Sequence, residues 1–309
     1  MSIALSWLLW PLLATVCCAG TAYALHKGID DSLIMVGLFL SLATTLEVLE
    51  RVFPHERRWT MPDGQLGNDV VFTLFGSGLP GAVAQMLVLA AVVSAAQWIV
   101  QQSSGGLWPT HWPMVLQIAL TLLIADFGGY WTHRLFHTVP WMWPLHALHH
   151  SLPRLWWLNS GRAHPLDIMM IIATTTPVLF LLSAPETIIV WLGAFTTFIG
   201  MMSHCNVNMR CGPLDWIFNT PGVHRWHHSR ILAEGNNNYG ENTMIWDVVF
   251  GTHYRQAKRR PPVDVGTATP IPLSIIGQFV EPVRMSVKEL SQRMRSTPSD
   301  APAMRIAND

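Results

Sequence analysis

Long apolar segments constrain the fold of this chain more than any other feature. Four of them, near residues 5–25, 33–50, 83–100 and 114–132, approach or reach the roughly 20 residues that cross a bilayer as a helix. A fifth, from about 166 to 203, is too long for one span. Half of the residues are hydrophobic and only 12% are charged, against about 25% in a typical soluble domain. The sequence therefore predicts an integral membrane protein.

The fifth segment is interrupted by Ser183-Ala184-Pro185-Glu186, a sequence typical of a tight connection. It therefore predicts a hairpin of two helices. The stretch 70–80 is apolar but contains Gly76, Gly78 and Pro80, so it is either a kinked extension or a re-entrant piece. We expect an all-α, polytopic membrane bundle of about six spans, with four as the alternative.

Basic residues predict the orientation of the bundle. Ala22-Tyr23-Ala24 resembles a signal-peptidase site, but no Lys or Arg precedes it, so we expect a retained first helix. With the N-terminus in the cytoplasm and six spans, only Lys27 of the 19 basic residues lies outside. This pattern predicts that the N-terminus and the C-terminus are cytoplasmic.

Histidine is concentrated in three motifs on the same predicted side. They are H-x3-H (His133, His137) and two copies of H-x2-H-H (His146, His149, His150 and His224, His227, His228). Residues i, i+3 and i+4 of a helix share a face, so each motif can direct two or three nitrogens at one point. One such motif alone would fit an ordinary pair of surface or core histidines. Three of them predict a metal centre, because neutral imidazole suits iron, zinc, copper and nickel.

Asp126, Tyr130, His133 and His137 follow a 4-3-4 spacing on the fourth apolar segment. A histidine that binds a metal usually donates its other N–H to a carboxylate or a carbonyl. We therefore expect Asp126 to hold one of the ligands, with a plain interfacial carboxylate as the alternative. The tryptophans around the second motif favour the membrane–water interface.

The order of the motifs resembles a known family. A lone histidine, His204, lies between the two H-x2-H-H motifs, and N-Y-G (238–240) and W-D-x3-G-T (246–252) follow the last of them. Over residues 114–254 this succession is similar to the fatty acid hydroxylase and sterol desaturase superfamily of integral-membrane di-iron oxygenases. The resemblance implies a four-helix membrane core with a cytosolic histidine-rich cap, two iron ions that zinc can replace, O2 as co-substrate, and hydroxylation or desaturation of a lipid.

Carried over by position, the implied metal ligands are His133, His137, His146, His149, His150, His204, His224, His227 and His228. His164, in an R-x-H-P segment, is either a ligand or a structural residue, and His253 is a weaker candidate. Asn208 stands where some members have a second histidine after the lone one, which leaves one ligand open. We expect Asp126, Asn208, Asn238 and Asp247 to support the ligands.

Electrons for such a reaction must come from another protein. The sequence has no C-x2-C-H haem motif, no cysteine cluster and no G-x-G-x2-G fingerprint. We expect a cytochrome b5-like protein, or a ferredoxin with its reductase, to dock on the cytoplasmic face. The net charge is zero and no basic stripe interleaved with aromatic residues appears, so nucleic-acid binding is not expected.

Two other classes of protein also use clustered histidines. A zinc transporter would need ligands along a path through the membrane, but the apolar segments contain almost none. A zinc hydrolase of lipids would use three ligands and often a carboxylate base, and no H-E-x2-H motif occurs. Within the favoured superfamily, hydroxylation is preferred to desaturation.

We divide the chain into N-terminal membrane helices (1–113), a histidine-box domain (114–255) and a cytosolic tail (256–309). In the tail, Val283, Val287, Leu290 and Met294 recur at helical spacing and predict an amphipathic helix. This helix lies either on the membrane surface or against the cap. The last dozen residues are expected to be disordered.

Overall fold

The computed structural model describes residues 3–103, 106–256 and 258–295, and helices dominate those ranges. The helices are α1 Ile3–His26, α2 Asp31–Val52, α3 Leu66–Val71, α4 Leu79–Ser103, α5 Met114–Thr138, α6 Trp143–His150, α7 Pro165–Thr175, α8 Pro177–Leu181, α9 Glu186–His204, α10 Pro221–His227, α11 Leu232–Gly235, α12 Ile245–Phe250 and α13 Ile275–Arg295. A π-helical segment, Phe72–Gly78, joins α3 to α4. Helices satisfy their own backbone groups, as a membrane-spanning segment must.

Five helices are long and apolar enough to cross a membrane: α1, α2, the continuous Leu66–Ser103, α5 and α9. The sixth apolar unit is the shorter Pro165–Leu181, which breaks at Thr176-Pro177 into α7 and α8. Ser183, in the left-handed region at φ 62°, turns the chain into α9. The glycine-rich 70–80 stretch is a continuous extension of α4, because its π-helical turns absorb the irregular residues.

Contacts between loops show which helix ends lie together. An isolated bridge joins Pro54, after α2, to Val207, after α9. At the opposite end, the Leu107 amide donates to the Leu182 carbonyl at 3.2 Å. The end of α2 therefore lies beside the end of α9, and the loop before α5 lies beside the end of α8.

Helix α9 is the centre of the bundle. In the most apolar 18-residue stretch of α9, 61% is buried inside the bundle. In the corresponding stretch of Leu66–Ser103, only 6% is buried. One face of α9 packs through Phe198 and Met202 on Leu46 of α2 and Trp10 of α1. Ile188, nearer its start, packs in a second cluster with residues of α5 and α8. Because α9 is held on several sides, its last residue, His204, is fixed in position.

Helix α13 has features of both placements predicted for the tail helix, against the histidine-rich cap and on the membrane surface. Val283 packs against Phe136, Met142 and Leu145 beside α6, whereas Val287 and Met294 are 57% and 74% exposed. The first half of α13 therefore covers the histidine-rich region, and the second half presents apolar side chains outward. The segment expected to be disordered lies outside the described residues.

Helices α5 and α7 approach each other closely at Gly128. A Cβ added there would meet the Thr174 carbonyl oxygen at 2.0 Å. We expect Gly128→Ala to lower the free energy of unfolding by about 2 kcal/mol, because backbone must shift to admit the methyl group. Thermal unfolding in detergent micelles measures the change. Gly37→Ala in α2 is the control, since its Cβ meets nothing within 4 Å; an equal loss in both variants would contradict the packing argument.

Candidate metal centre

Nine histidines converge in two clusters where α5 and α9 end. The first contains His133 and His137 of α5, His146 and His150 of α6, and His227 of α10. The second contains His149 of α6, His204 of α9, His224 of α10 and His228 directly after it. Within each cluster the candidate ligand atoms lie within 4.8 Å of one another. These are the same nine histidines that the family pattern singles out.

Each H-x2-H-H motif divides between the two clusters. His146 and His150, at i and i+4, face the first cluster, whereas His149 faces the second. Successive residues of a helix are rotated by about 100°, so His149 and His150 necessarily point in different directions. The motif on α10 divides in the opposite sense, with His224 and His228 in the second cluster. Helices α6 and α10 therefore both contribute to both clusters.

The Nε2 atoms point inward. In the first cluster, Nε2 of His146 lies 3.0 Å from that of His133 and 3.1 Å from that of His150. In the second, Nε2 of His228 lies 3.0 Å from that of His224 and 3.2 Å from that of His149. Ligands at right angles on a metal with bonds of about 2.1 Å are themselves about 3.0 Å apart. The spacing thus fits nitrogens that share an ion.

Several of the outer Nδ1 atoms have partners that fix the rings. Nδ1 of His227 lies 2.7 Å from the Asn237 carbonyl and Nδ1 of His133 lies 3.0 Å from the Tyr239 carbonyl. Nδ1 of His146 lies 2.8 Å from Asp167. A carbonyl can only accept, so the ring proton sits on Nδ1 and the Nε2 lone pair faces inward. Converging lone pairs repel one another without a cation, so the donor set fits a metal.

Burial keeps the histidine rings of the two H-x2-H-H motifs neutral. It lowers the pKa of His150, His224 and His228 well below the usual range, and lowers the pKa of His149 to about 3. Neighbouring histidines lower the pKa values further, because a second positive charge would be repelled. Neutral imidazole is the form that binds a metal.

The N-Y-G segment is held from behind by Asn238 and Asp247. Asn238 adopts φ 60° and donates from Nδ2 to the Tyr254 and Val223 carbonyls. The Asp247 carboxylate accepts from the amides of Tyr239 and Gly240 at 2.8 and 2.7 Å. These bonds orient the carbonyls that meet His227 and His133. Both residues therefore act through the backbone of the loop.

The other residues predicted to bind or support a metal lie outside the two histidine clusters. Asp126 accepts from the backbone of Asn242 and Thr243 rather than from a histidine of the described chain. Asn208 is exposed, and its amide donates to the Phe53 carbonyl. His164 caps α7, with Nδ1 accepting from the Leu166 amide and Nε2 3.0 Å from the Phe279 carbonyl. His253 Nε2 lies 2.9 Å from the Asp215 carbonyl, and the ring stacks on Trp216. Neither His164 nor His253 belongs to a described histidine cluster.

Sequence reasoning missed three polar residues at the clusters. Asp167 contacts His146, Asn159 Oδ1 lies 3.0 Å from His204 Nδ1, and Glu241 lies 3.3 Å from His133 Nδ1. Asp167 is a carboxylate inside an apolar segment, a position that by itself marks a functional candidate. Asn159 lies in the short 3-10 helix Trp157–Gly161, whose sequence carries no comparable signal.

An elongated pair of cavities leads from the clusters into the bundle. One, of about 450 Å³, is lined by five histidines of the two clusters together with Asp167 and Glu241. The second, of about 420 Å³, shares Ile171, Ile172, Thr196 and Glu241 with the first and extends to the starts of α2 and α9. Five carboxylates and no Lys or Arg line the two cavities: Asp31, Asp126, Asp167, Glu186 and Glu241. The space therefore suits an elongated apolar molecule with a cationic group.

Comparison with known proteins agrees with this geometry. The model of the fatty acid hydroxylase family matches residues 118–252. An ornithine lipid hydroxylase (OlsE) of Rhizobium tropici is 40% identical over 319 residues, covering 99% of this chain and 95% of that protein.

Two more distant relatives each match less than half of the chain. The alkylglycerol monooxygenase of Homo sapiens is 37% identical over 41% of this chain and 28% of its own length. Methylsterol monooxygenase 2-1 of Arabidopsis thaliana is 30% identical over 48% of this chain and 60% of its own length. No solved structure matches at a significant level. The chain therefore belongs to the fatty acid hydroxylase family and is a membrane enzyme that oxidises lipids.

Proposed function

We propose that the chain is an O2-dependent di-iron hydroxylase whose substrate is a lipid with a cationic amine in its headgroup, such as an ornithine lipid. The observation that carries the proposal is the cavity pair, which opens on both histidine clusters and is lined by five carboxylates but no Lys or Arg. An amine fits this lining, because carboxylates in a cavity without Lys or Arg together attract a cation. The long relative named for ornithine lipid supports the same substrate.

The nine clustered histidines would hold two iron ions, one in each cluster. Bound there, iron supplies the redox chemistry that activates O2 toward an unactivated C–H bond. The balance is one oxygen atom inserted into the C–H bond and one reduced to water with two electrons and two protons. Zinc would fit the same nitrogens but supplies no redox chemistry.

The residues of the chain orient the rings, exclude water and position the lipid. The Asn237 and Tyr239 carbonyls and Asp167 keep the ring protons on Nδ1. Ile168, Ile171 and Ile172 give the cavity an apolar wall, along which an acyl chain can lie. Glu241, between the two cavities, would bind the amine and place a neighbouring carbon near His133.

We further propose that the clusters face the cytoplasm and that an external donor supplies the electrons. The distribution of basic residues supports this orientation. His137 is the least buried histidine of the first cluster and borders a surface cavity of about 550 Å³ together with Trp143. A cytochrome b5-like protein or a ferredoxin could approach there. Desaturation by the same centre is the second candidate function, because it begins with the same hydrogen abstraction.

Lipid mass spectrometry of host membranes tests the proposal. A host that makes an amine-bearing lipid is grown with and without the chain, in air and without oxygen. We expect an oxygen-dependent gain of one oxygen atom in the amine-bearing class. A loss of two hydrogens would mean desaturation, and oxidation confined to lipids without an amine would refute the proposed substrate.

The Glu241→Gln variant, compared with the unaltered purified enzyme, tests the role given to Glu241. We expect KM for the amine-bearing lipid to rise roughly tenfold or more, because the charged hydrogen bond is lost. Iron content is the control, since Glu241 also contacts His133. An unchanged KM with both ions in place would contradict the role given to Glu241.

A further inference from the structure

A separate cavity lies on the side of α10 away from the histidine clusters. It has a volume of about 620 Å³. Its walls are the first turns of α1, the loop after α9, α10 itself and residues 255, 256 and 258–261. We call it the arginine pocket, defined by Arg210, Arg225, Lys258 and Arg260. It shares no lining residue with the two substrate cavities.

The charges around the arginine pocket do not balance. Besides its four defining cations, it is lined by Arg255, Arg259 and a single carboxylate, Asp215. Arg255 pairs with Asp215 at 3.0 Å, and Arg259 pairs with Glu234 at 2.5 Å. The four defining residues form no ion pair within the described part of the chain. The pocket therefore holds a concentrated positive potential that favours an anion.

Two buried polar atoms that border the pocket have no partner among the described residues. Arg225 is 1% exposed, and its Nη2 donates to the Cys205 and Val207 carbonyls at 2.6 and 3.1 Å, while its Nε donates to nothing. His55 is 7% exposed and its Nε2 is likewise unpartnered. A buried guanidinium without a counter-ion is unfavourable, and so is a buried ring nitrogen without a hydrogen-bond partner. Both atoms therefore point to a ligand.

We propose that the arginine pocket binds a phosphate group. Arg225 and His55 form its buried wall, and Arg210, Lys258 and Arg260 surround it at the surface. A phosphate group offers several acceptor oxygens on one centre, and guanidinium groups match that geometry. The inference is independent of the proposed function, because none of these residues belongs to the histidine clusters.

An anionic phospholipid headgroup and free phosphate share this chemistry. Trp7, in the second turn of α1, borders the pocket and is 44% exposed. Tryptophan favours the membrane–water interface, so phospholipid headgroups of the bilayer would lie close to the pocket. The two sources are distinguished by offering them separately.

The test uses the purified full chain. Inorganic phosphate is titrated against protein in nanodiscs of phosphatidylcholine, and phosphatidylglycerol is offered in mixed nanodiscs, with native mass spectrometry counting bound molecules. We expect saturable binding of at least one probe. The double variant Arg210→Gln/Lys258→Gln should weaken it at least about tenfold. Arg57→Gln/Lys288→Gln is the control, because it removes two exposed cations outside the pocket.

Arg225 is left in place because its bonds to the 205 and 207 carbonyls support the loop after His204. Binding of phosphatidylglycerol alone would support a lipid headgroup as the source, and binding of inorganic phosphate alone would support a soluble one. Absence of saturable binding, or equal affinities of the two double variants, would overturn the proposal. The proposal would also be overturned if Arg210→Gln/Lys258→Gln left phosphate binding unchanged but slowed reduction by an acidic ferredoxin. That result would make the pocket a protein-docking surface.

Discussion

Replacing His149 or His227 by alanine is expected to abolish lipid hydroxylation and to reduce the metal content from about two ions per chain to about one. His149 belongs to the second cluster and His227 to the first, so each variant should lose a different ion. Activity should be absent in both, because the reaction needs the complete centre. Iron is counted by inductively coupled plasma mass spectrometry, and turnover by the gain of oxygen in the lipid.

The control for these variants is His111→Ala, an exposed histidine in the loop before α5. It should keep both ions and full turnover. The membrane helices should remain intact in all three proteins, since α1, α2 and α9 pack through apolar side chains. Full activity and two ions in either cluster variant would remove that histidine from the ligand set.

Asp247→Ala is expected to lower the free energy of unfolding by more than about 3 kcal/mol and to weaken metal binding by the first cluster. The carboxylate accepts from the amides of Tyr239 and Gly240 and from the Thr252 hydroxyl, which donates at 2.7 Å. Leaving buried donors without an acceptor costs about 1–3 kcal/mol each. Since the same loop supplies the carbonyls that meet His133 and His227, iron should bind more weakly as well.

Denaturant unfolding in micelles and an iron titration measure the two effects of Asp247→Ala. Asp264→Ala is the control, because its side chain is 82% exposed and its nearest cation, Arg58, lies 3.8 Å away. We expect less than about 0.5 kcal/mol from that change. Equal stability of the two variants would refute the role of Asp247 in holding the loop.

The membrane helices could be predicted because length and hydropathy alone define a span. The position of the hairpin turn followed from Ser183-Ala184-Pro185, since a polar, helix-breaking sequence cannot continue an apolar helix. The shortness of Pro165–Leu181 was harder to predict, because the break at Thr176-Pro177 lies within an otherwise apolar run. Helical periodicity likewise predicted that the histidines of each motif share a face and point toward one site.

The division of each motif between two clusters was not predicted, although it follows from the same geometry. Sequence spacing places His146, His149 and His150 on one broad face, but only the packing of α5, α9 and α10 shows that His149 meets other partners. The acceptors of the ring protons could not be predicted either. Backbone carbonyls such as those of Asn237 and Tyr239 have no sequence signature, because every residue carries one.

The sharing of α6 and α10 by both clusters has an evolutionary consequence. The separation of the clusters depends on two short helices, whereas the walls of the substrate cavities come mainly from α7 and α9. Substitutions in those walls can therefore change which lipid is accepted without altering the spacing of the reaction centre. One such arrangement can serve relatives named for ornithine lipids, alkylglycerols and methylsterols, because selection for a new substrate acts on residues that do not set the distance between the two clusters.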